Sequence, residues 1–375
     1  MTNEKIYVIY NYVNDFIFEA FIFLVKNVID YIFKNYERRS VVNIAEIAKL
    51  ANVSSATVSR VINNSDKVSE KTAKRINEII KKYGYEPNLL GRHLRTKETK
   101  LILVIMTTIA NSFFSRVIDG IDREAHKYGY SIMLCITNDN RQSEQNYLNL
   151  MRNGVADGAI IMNTTMTSEE MHEFAKKYNV VQCSEYIDPD SYFVAIDNVK
   201  AAYDATEYHI KSGRRRIAYC GVVNHFISSS KRYHGYEKAL TDNGIEPDRR
   251  IIFDGNYGFR SAYKLTAELL SRGEKFDALF AISDRMAIGA INSIKAFGLK
   301  VPDDVAVIGF DDIDLAHMTE PQLSTVSQPK KDLGREAFKM LYMRLKGEKI
   351  TERKKILKHK LILRDSTINN FKEDI

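Results

Sequence analysis

The segment Ile44–Asn63, IAEIAKLANVSSATVSRVIN, constrains the fold more tightly than any other stretch of this 375-residue chain. Ile44, Ile47 and Ala48 recur at helical spacing, as do Val58, Val61 and Ile62, so each half predicts a short helix with one apolar stripe to bury. Ala51-Asn52-Val53 between them is too short for a loop and holds an Asn suited to a turn. Ser54 stands where an N-cap belongs, before a second helix with a small, hydroxyl-rich polar face. Two helices crossing on a three-residue turn form a helix-turn-helix, the arrangement that lays its second helix in the DNA major groove.

Charge is placed to match. Residues 1–40 carry 5 Lys+Arg and 5 Asp+Glu, residues 41–100 carry 12 and 6, and the remainder 38 and 37. The short segment around the helix pair therefore holds +6 of the net +7, where a phosphate-binding surface needs it. Hydrophobic and charged fractions of 45% and 27% are those of an ordinary globular protein, long enough for two or more domains. Cys135, Cys183 and Cys220 lie apart in apolar runs, with neither disulfide nor metal-ligand spacing, which suits a reducing compartment and a cytoplasmic protein.

Residues 1–41 differ in kind: Ile, Phe, Tyr, Asn and Lys dominate, and there is no Gly or Pro. Asp15, Glu19 and Lys26 interrupt the apolar run, so a membrane span is a poor fit, and no small-residue site follows to make it a signal peptide. Three readings stay open: a helix packing on the body or a partner, an interfacial membrane helix, or a segment outside the natural protein. We favour the third as a hypothesis, because AT-rich codons encode these residues whatever the frame. Glu37-Arg38-Arg39 can be written GAA-AGG-AGG, like a ribosome-binding site, with Val42 as a GTG start.

Beyond Asn63, Ser69 caps a third predicted helix with Glu70 in its first turn; Gly84 ends it after Tyr83, and Ala73, Ile76, Ile79 and Ile80 form its apolar face. The whole string VSSATVSRVINN…VSEKTAKRINEIIKKYGYEPNLLGRHLRTKETK resembles the lactose-repressor (LacI/GalR) family of bacterial transcription regulators, and the resemblance runs from about Val42 to Thr367. It implies a helix-turn-helix DNA-binding domain over 42–87, a hinge helix and linker over 88–100, an effector-binding and dimerisation domain over 101–367, and a tail, 368–375. It places Ser55 and Ala56 at the main base-reading positions and Arg60 at a further one, where its fork suits a guanine. Ser54, Thr57, Ser59 and Asn63 match phosphate-holding positions, whose hydroxyl and amide donors fit that role. Asn88 to Leu94 matches the hinge helix that enters the minor groove, and Leu94 the wedge that kinks the central base step. Gly91 departs from the usual alanine and costs about 1 kcal/mol of helix propensity.

From Leu101 onward apolar runs alternate with helical segments: Leu101–Met106, Ile132–Ile136, Ala159–Met162, Val180–Cys183, Val194–Ile196, Ile217–Cys220, Ile251–Phe253, Leu279–Ile282 and Val305–Phe310. Such continuous runs predict parallel sheets covered on both faces, in two α/β halves. The resemblance makes this a two-lobed periplasmic-binding-protein-like fold, crossed three times by the chain, with a ligand cleft between lobes. Ligands of α/β folds sit beyond the carboxyl ends of the strands. There the sequence offers Phe113 and Phe114 in an NSFF segment, Glu185 in CSEY, Arg232, Tyr257, Asp284 in ISD and Asp311 in GFDD. By resemblance Arg232 anchors an effector, Tyr257 stacks on its rings and Asp311 accepts from its hydroxyls. Asp284 and Asp312 have a second reading as helix caps. One arginine, carboxylates and aromatic faces point to a sugar; stacking on Phe113, Phe114 and Tyr257 leaves a purine open.

No GxSxG elbow, P-loop, HExxH or Cys/His metal spacing occurs, so no enzyme, cofactor or metal is expected. Arg214-Arg215-Arg216 reads as a solvated turn rather than a phosphate site. A transport receptor would need an export signal and no basic helix pair; a nucleic-acid-modifying enzyme would need an acidic cluster or a nucleophile. The expected partners are a near-palindromic double-stranded operator, a small-molecule effector and a second copy of the chain, with no membrane. Only INNFKEDI follows RDST, too short for a tetramerising helix, so a homodimeric repressor is expected.

Overall fold

The computed structural model describes residues 43–62, 67–85, 98–222 and 226–368. The chain divides into two compact units between Lys97 and Glu98. Residues 1–42, and with them the amino-terminal extension, lie outside the described residues.

The smaller unit is three helices: α1 (Ile44–Leu50), α2 (Ser55–Ile62) and α3 (Glu70–Tyr83). Asn43 and Glu46 cap α1 reciprocally: the Asn43 side chain accepts from the Glu46 amide (3.1 Å) while the Asn43 amide donates to the Glu46 carboxylate (2.9 Å). Asn52 turns the chain with φ +50°, and Ser54 accepts from the Thr57 amide at 3.2 Å, so it is the N-cap of α2. Ile47, Val58 and Ile76, one from each helix, are fully buried and meet in the core. Of the expected α3 stripe only Ile76 is fully enclosed; Ala73, Ile79 and Ile80 are half-buried because three short helices have little interior.

The larger unit alternates strand and helix: β1 (Leu101–Met106), α4 (Ser112–Lys127), β2 (Ser131–Ile136), α5 (Arg141–Arg152), β3 (Gly158–Ile161), α6 (Ser168–Lys177), β4 (Val180–Cys183), β5 (Phe193–Ile196), α7 (Asn198–Lys211), β6 (Ile217–Gly221), α8 (Ile227–Asp242), β7 (Ile252–Asp254), α9 (Phe259–Ser271), β8 (Ala278–Ala281), α10 (Asp284–Ala296), β9 (Ala306–Asp311), β10 (Ser324–Ser327), α11 (Lys330–Leu345), β11 (Lys354–Leu357) and β12 (Lys360–Ile362). The first sheet runs β11-β5-β4-β3-β1-β2 and the second β12-β10-β9-β8-β6-β7, so the chain changes lobe after β5, β10 and β11. All nine apolar runs are strands. Three further strands were not expected, and β12 is the antiparallel edge of an otherwise parallel sheet.

Helices cover both faces of each sheet, as parallel strands require. In the first lobe α4 packs on α11, and glycines set their approach. A Cβ on Gly334 would lie 2.0 Å from the Val117 carbonyl oxygen, and one on Gly120 would lie 2.1 Å from that of Lys331.

Candidate ligand cleft and nucleic-acid interface

The lobes enclose a cleft of about 780 Å³ at the carboxyl ends of their strands, within the range of small-molecule sites. Arg232, in the second turn of α8, is its fixed point. Its Nε donates to Asn198 Oδ1 (2.9 Å) and its Nη1 to the Ile282 carbonyl (2.6 Å). The guanidinium carbon sits 3.6 Å from the ring centroid of buried Phe310, a cation–π contact that holds the fork flat. Asp311 ends β9 with φ +110°, a strained conformation for a residue with a Cβ, and Asp312 follows at φ +54°. Gln328 Nε2 donates to Asp311 Oδ1 at 2.8 Å, and Lys330 Nζ donates to the carbonyls of Asp311 and Asp312, both at 2.6 Å. Burial raises the Asp311 carboxyl above the usual range, and the Arg232 charge opposes the rise.

Phe113 and Phe114 open α4 edge to face, ring centroids 5.5 Å apart, and both line the cleft. Tyr257 (φ +51°) lines it from the loop after β7, 6.0 Å from the Phe226 ring. Glu185 lines it too, and its Oε1 accepts from the Ser228 amide of the other lobe at 2.8 Å. That bond caps α8, whose own N-cap, Phe226, has no capping side chain. Other polar contacts cross between the lobes: Arg285 Nη1 to the Ala110 carbonyl (3.1 Å), Arg116 to Asp314 (2.8 Å), and Lys231 to the Tyr186 hydroxyl, its Nζ 4.2 Å from the ring centroid.

Asp284 is a correction. It does not line the cleft but is fully buried in the second lobe, where its Oδ1 accepts from Thr325 Oγ1 (2.6 Å) and its Oδ2 from the Ile313 amide (2.8 Å). Burial pushes its carboxyl well above the ordinary range, and the nearby Asp311 charge adds to the rise. Nor is it the cap of α10, which is Ser283. Asp312 caps no helix either: it pairs with Arg364 (2.7 Å) and accepts from Ser327 Oγ (2.9 Å). The cleft residue at this corner is Arg285, one position on. Sequence reasoning also missed Asp139, Asn163, Thr164, Thr165, Ser228 and Gln328. The first four follow β2 and β3 directly, so the rule of strand carboxyl ends could have found them.

In the smaller unit Ser54, Ser55, Ala56 and Arg60 are exposed on α2 and its cap, while Thr57 and Ser59 are half-buried. Ser54 Oγ and Thr57 Oγ1 are 2.9 Å apart. Asn63, Asn88, Gly91 and Leu94 lie outside the described residues. Among the described residues no group of His, Cys, Asp and Glu is placed to hold a metal, and no helix is long and apolar enough to cross a membrane.

A helix-turn-helix unit preceding a two-lobed cleft of this topology defines a class, the DNA-binding regulators with a periplasmic-binding-protein-like body. The chain belongs to the LacI family of bacterial regulatory proteins: residues 43–88 match the model for "Bacterial regulatory proteins, lacI family", and residues 99–365 match "Periplasmic binding proteins and sugar binding domain of LacI family". It is 35% identical over 329 residues to the transcriptional regulator RegA of Clostridium saccharobutylicum, covering 87% of this chain and 99% of that protein. Catabolite control protein A of Priestia megaterium matches with the same identity and coverage. The repressor CytR of Escherichia coli K12 is 32% identical over 336 residues, 89% of this chain and 98% of its own. Among solved structures, a complex of the regulator CelR with cellobiose aligns with a TM-score of 0.66 at 28% identity, over 86% of this chain and 99% of that one. The lac repressor dimer bound to operator aligns at 0.81 with 23% identity over 87% and 99%, which speaks for the fold. The chain is therefore a DNA-binding transcription regulator and not an enzyme.

Proposed function

We propose that this regulator is a homodimeric cytoplasmic repressor whose operator affinity is set by a sugar or sugar derivative bound between its lobes. The observation that carries this is the cleft itself, where a rigid arginine fork faces a buried carboxylate amid aromatic rings, all at strand ends. Arg232 and Asp311 would bind hydroxyls, Phe113, Phe114 and Tyr257 would pack on ring faces, and Glu185 would sense closure through its bond to α8. CelR, a relative in fold and sequence, is known with cellobiose. The burial of all three cysteines, which pushes the Cys135 and Cys183 thiols up to about 12, suits a reducing compartment.

On the DNA side, Ser55, Ala56 and Arg60 would read bases, while Ser54, Thr57, Ser59 and Asn63 would hold phosphates. Residues 88–100, with Asn88, Gly91 and Leu94, would form the minor-groove hinge. Ligand binding would change the lobe arrangement, and so the spacing of the paired hinges and the affinity for a two-fold site. A second copy would cover edge strand β2, where Met133 and Leu134 are 38% and 43% exposed.

Selection of bound duplexes from a random pool should return a near-palindrome, and ultracentrifugation a dimer. Thermal-shift screening against sugars, sugar phosphates and purines should find a ligand that stabilises by about 2.7 kcal/mol at a hundred times its Kd. Selected sites without two-fold symmetry, or stabilisation by purines alone, would overturn the corresponding part.

A further inference from the structure

Glu144 stands in the first turn of α5, fully buried, and forms no ion pair among the described residues. Its Oε1 accepts from Thr164 Oγ1 at 2.5 Å; its Oε2 accepts from the Thr165 amide at 2.8 Å and from Thr165 Oγ1. Both threonines line the cleft from the first lobe. Their loop is held further by the Met166 amide, which donates to Thr164 Oγ1 at 3.0 Å, and by Arg141 Nη1, which donates to the Thr165 carbonyl at 3.2 Å.

A hydroxyl has one proton to give and two lone pairs. Thr164 and Thr165 each spend that proton on Glu144, so what either can offer a ligand is a lone pair. Thr164 retains one after the Met166 bond, and Thr165 retains two. Asn163 beside them carries both donor and acceptor groups, and its Oδ1 is buried without a hydrogen-bond partner among the described residues, so the acceptor-only chemistry belongs to the two threonine hydroxyls. The second lobe adds the guanidinium donors of Arg232 and Arg285 beside the Asp311 carboxylate.

We propose that Glu144, which itself touches no ligand, is a specificity-determining positioning residue. By taking both threonine protons it leaves the Thr164 and Thr165 hydroxyls able only to accept hydrogen bonds from a ligand. This rests on reading the cleft as the ligand site, and it deepens that reading. A bound molecule must present hydroxyl or amine hydrogens to Thr164 and Thr165, and an oxygen that accepts to the arginines. A patch that needs donors rejects an analogue lacking them, because its acceptors would stay buried and unpaired.

Glu144→Gln is nearly isosteric and makes a sharp test. If the Gln carbonyl stays on Thr165, its NH2 meets Thr164 Oγ1, which must then accept and turn its own proton away, adding a donor to the wall. Calorimetry with D-glucose and its 3-, 4- and 6-O-methyl ethers should show one ether much weaker than glucose on the wild type. That ratio should shrink about tenfold in Glu144→Gln, whereas a mere folding defect would weaken both probes together. An unchanged ratio would overturn the proposal. Neutron diffraction from perdeuterated full-length protein without ligand decides the wall independently. The Thr164 and Thr165 deuterons should lie on the lines to Glu144, and either one directed into the cleft would overturn the proposal. If no glucose probe binds while both deuterons face Glu144, the choice of sugar fails and the acceptor wall stands.

Discussion

His209 lies on α7 and is fully buried. Burial, with the nearby Arg214 charge adding to it, holds its imidazole neutral down to about pH 3, against an ordinary value of 6.5. The folded value is depressed, so below pH 6.5 the unfolded chain takes up a proton that the folded chain refuses. Stability is therefore full above 6.5 and falls as the pH drops toward 3. At pH 5 the unfolded imidazole sits 1.5 units below its pKa, and at 1.36 kcal/mol per unit the loss is about 2 kcal/mol relative to pH 7.5. Any folded value below about 4 gives the same figure, because the folded ring is then neutral at pH 5. The perturbation is His209→Leu, which keeps an apolar body in the site and removes the titration. Guanidinium unfolding of wild type and variant at pH 7.5 and pH 5 provides the double difference, from which the carboxylates common to both proteins cancel. The variant should lose about 2 kcal/mol less than wild type over that interval. Equal losses would mean that the ring charges within the fold and that its enclosure has been misjudged.

Three further outcomes are expected. Gly334→Ala places a methyl group 2.0 Å from the Val117 carbonyl, so α4 and α11 must separate, and a denaturant melt should show a loss of about 1–3 kcal/mol. Arg232→Met strips the Ile282 carbonyl and Asn198 of their charged donor; it should cost about 1–3 kcal/mol in the same melt and abolish the thermal shift produced by a cleft ligand. Arg60→Ala should weaken operator binding by about 1–3 kcal/mol and relax base preference at one position per half-site, read by binding to a panel of single-base operator variants.

How much of this was legible beforehand follows from what each residue had to satisfy. Nine strands could be read because they are apolar throughout, as strands covered on both faces must be. β10 could not: its first three residues are equally buried, but Thr325 Oγ1 donates to Asp284 and Ser324 Oγ to the Arg364 carbonyl, so hydroxyls stand where a hydrophobic pattern expects methyls. β11 and β12 are sheet edges that carry lysines, as edges exposed to solvent do.

The site obeyed the same logic. Arg232, Asp311 and the aromatic residues were found because strand ends locate a cleft, yet that rule names a corner and not a side chain. At the start of α10 successive residues point about 100° apart, so Asp284 turns inward to Thr325 and Ile313 while Arg285 reaches the cleft. No pattern in ISDR separates the two, because the difference rests on β10, the strand whose own burial was hidden in hydroxyls. The misplaced carboxylate and the missed strand are thus one error: Asp284 is buried because Thr325 is there to donate to it, and Thr325 is buried because Asp284 accepts.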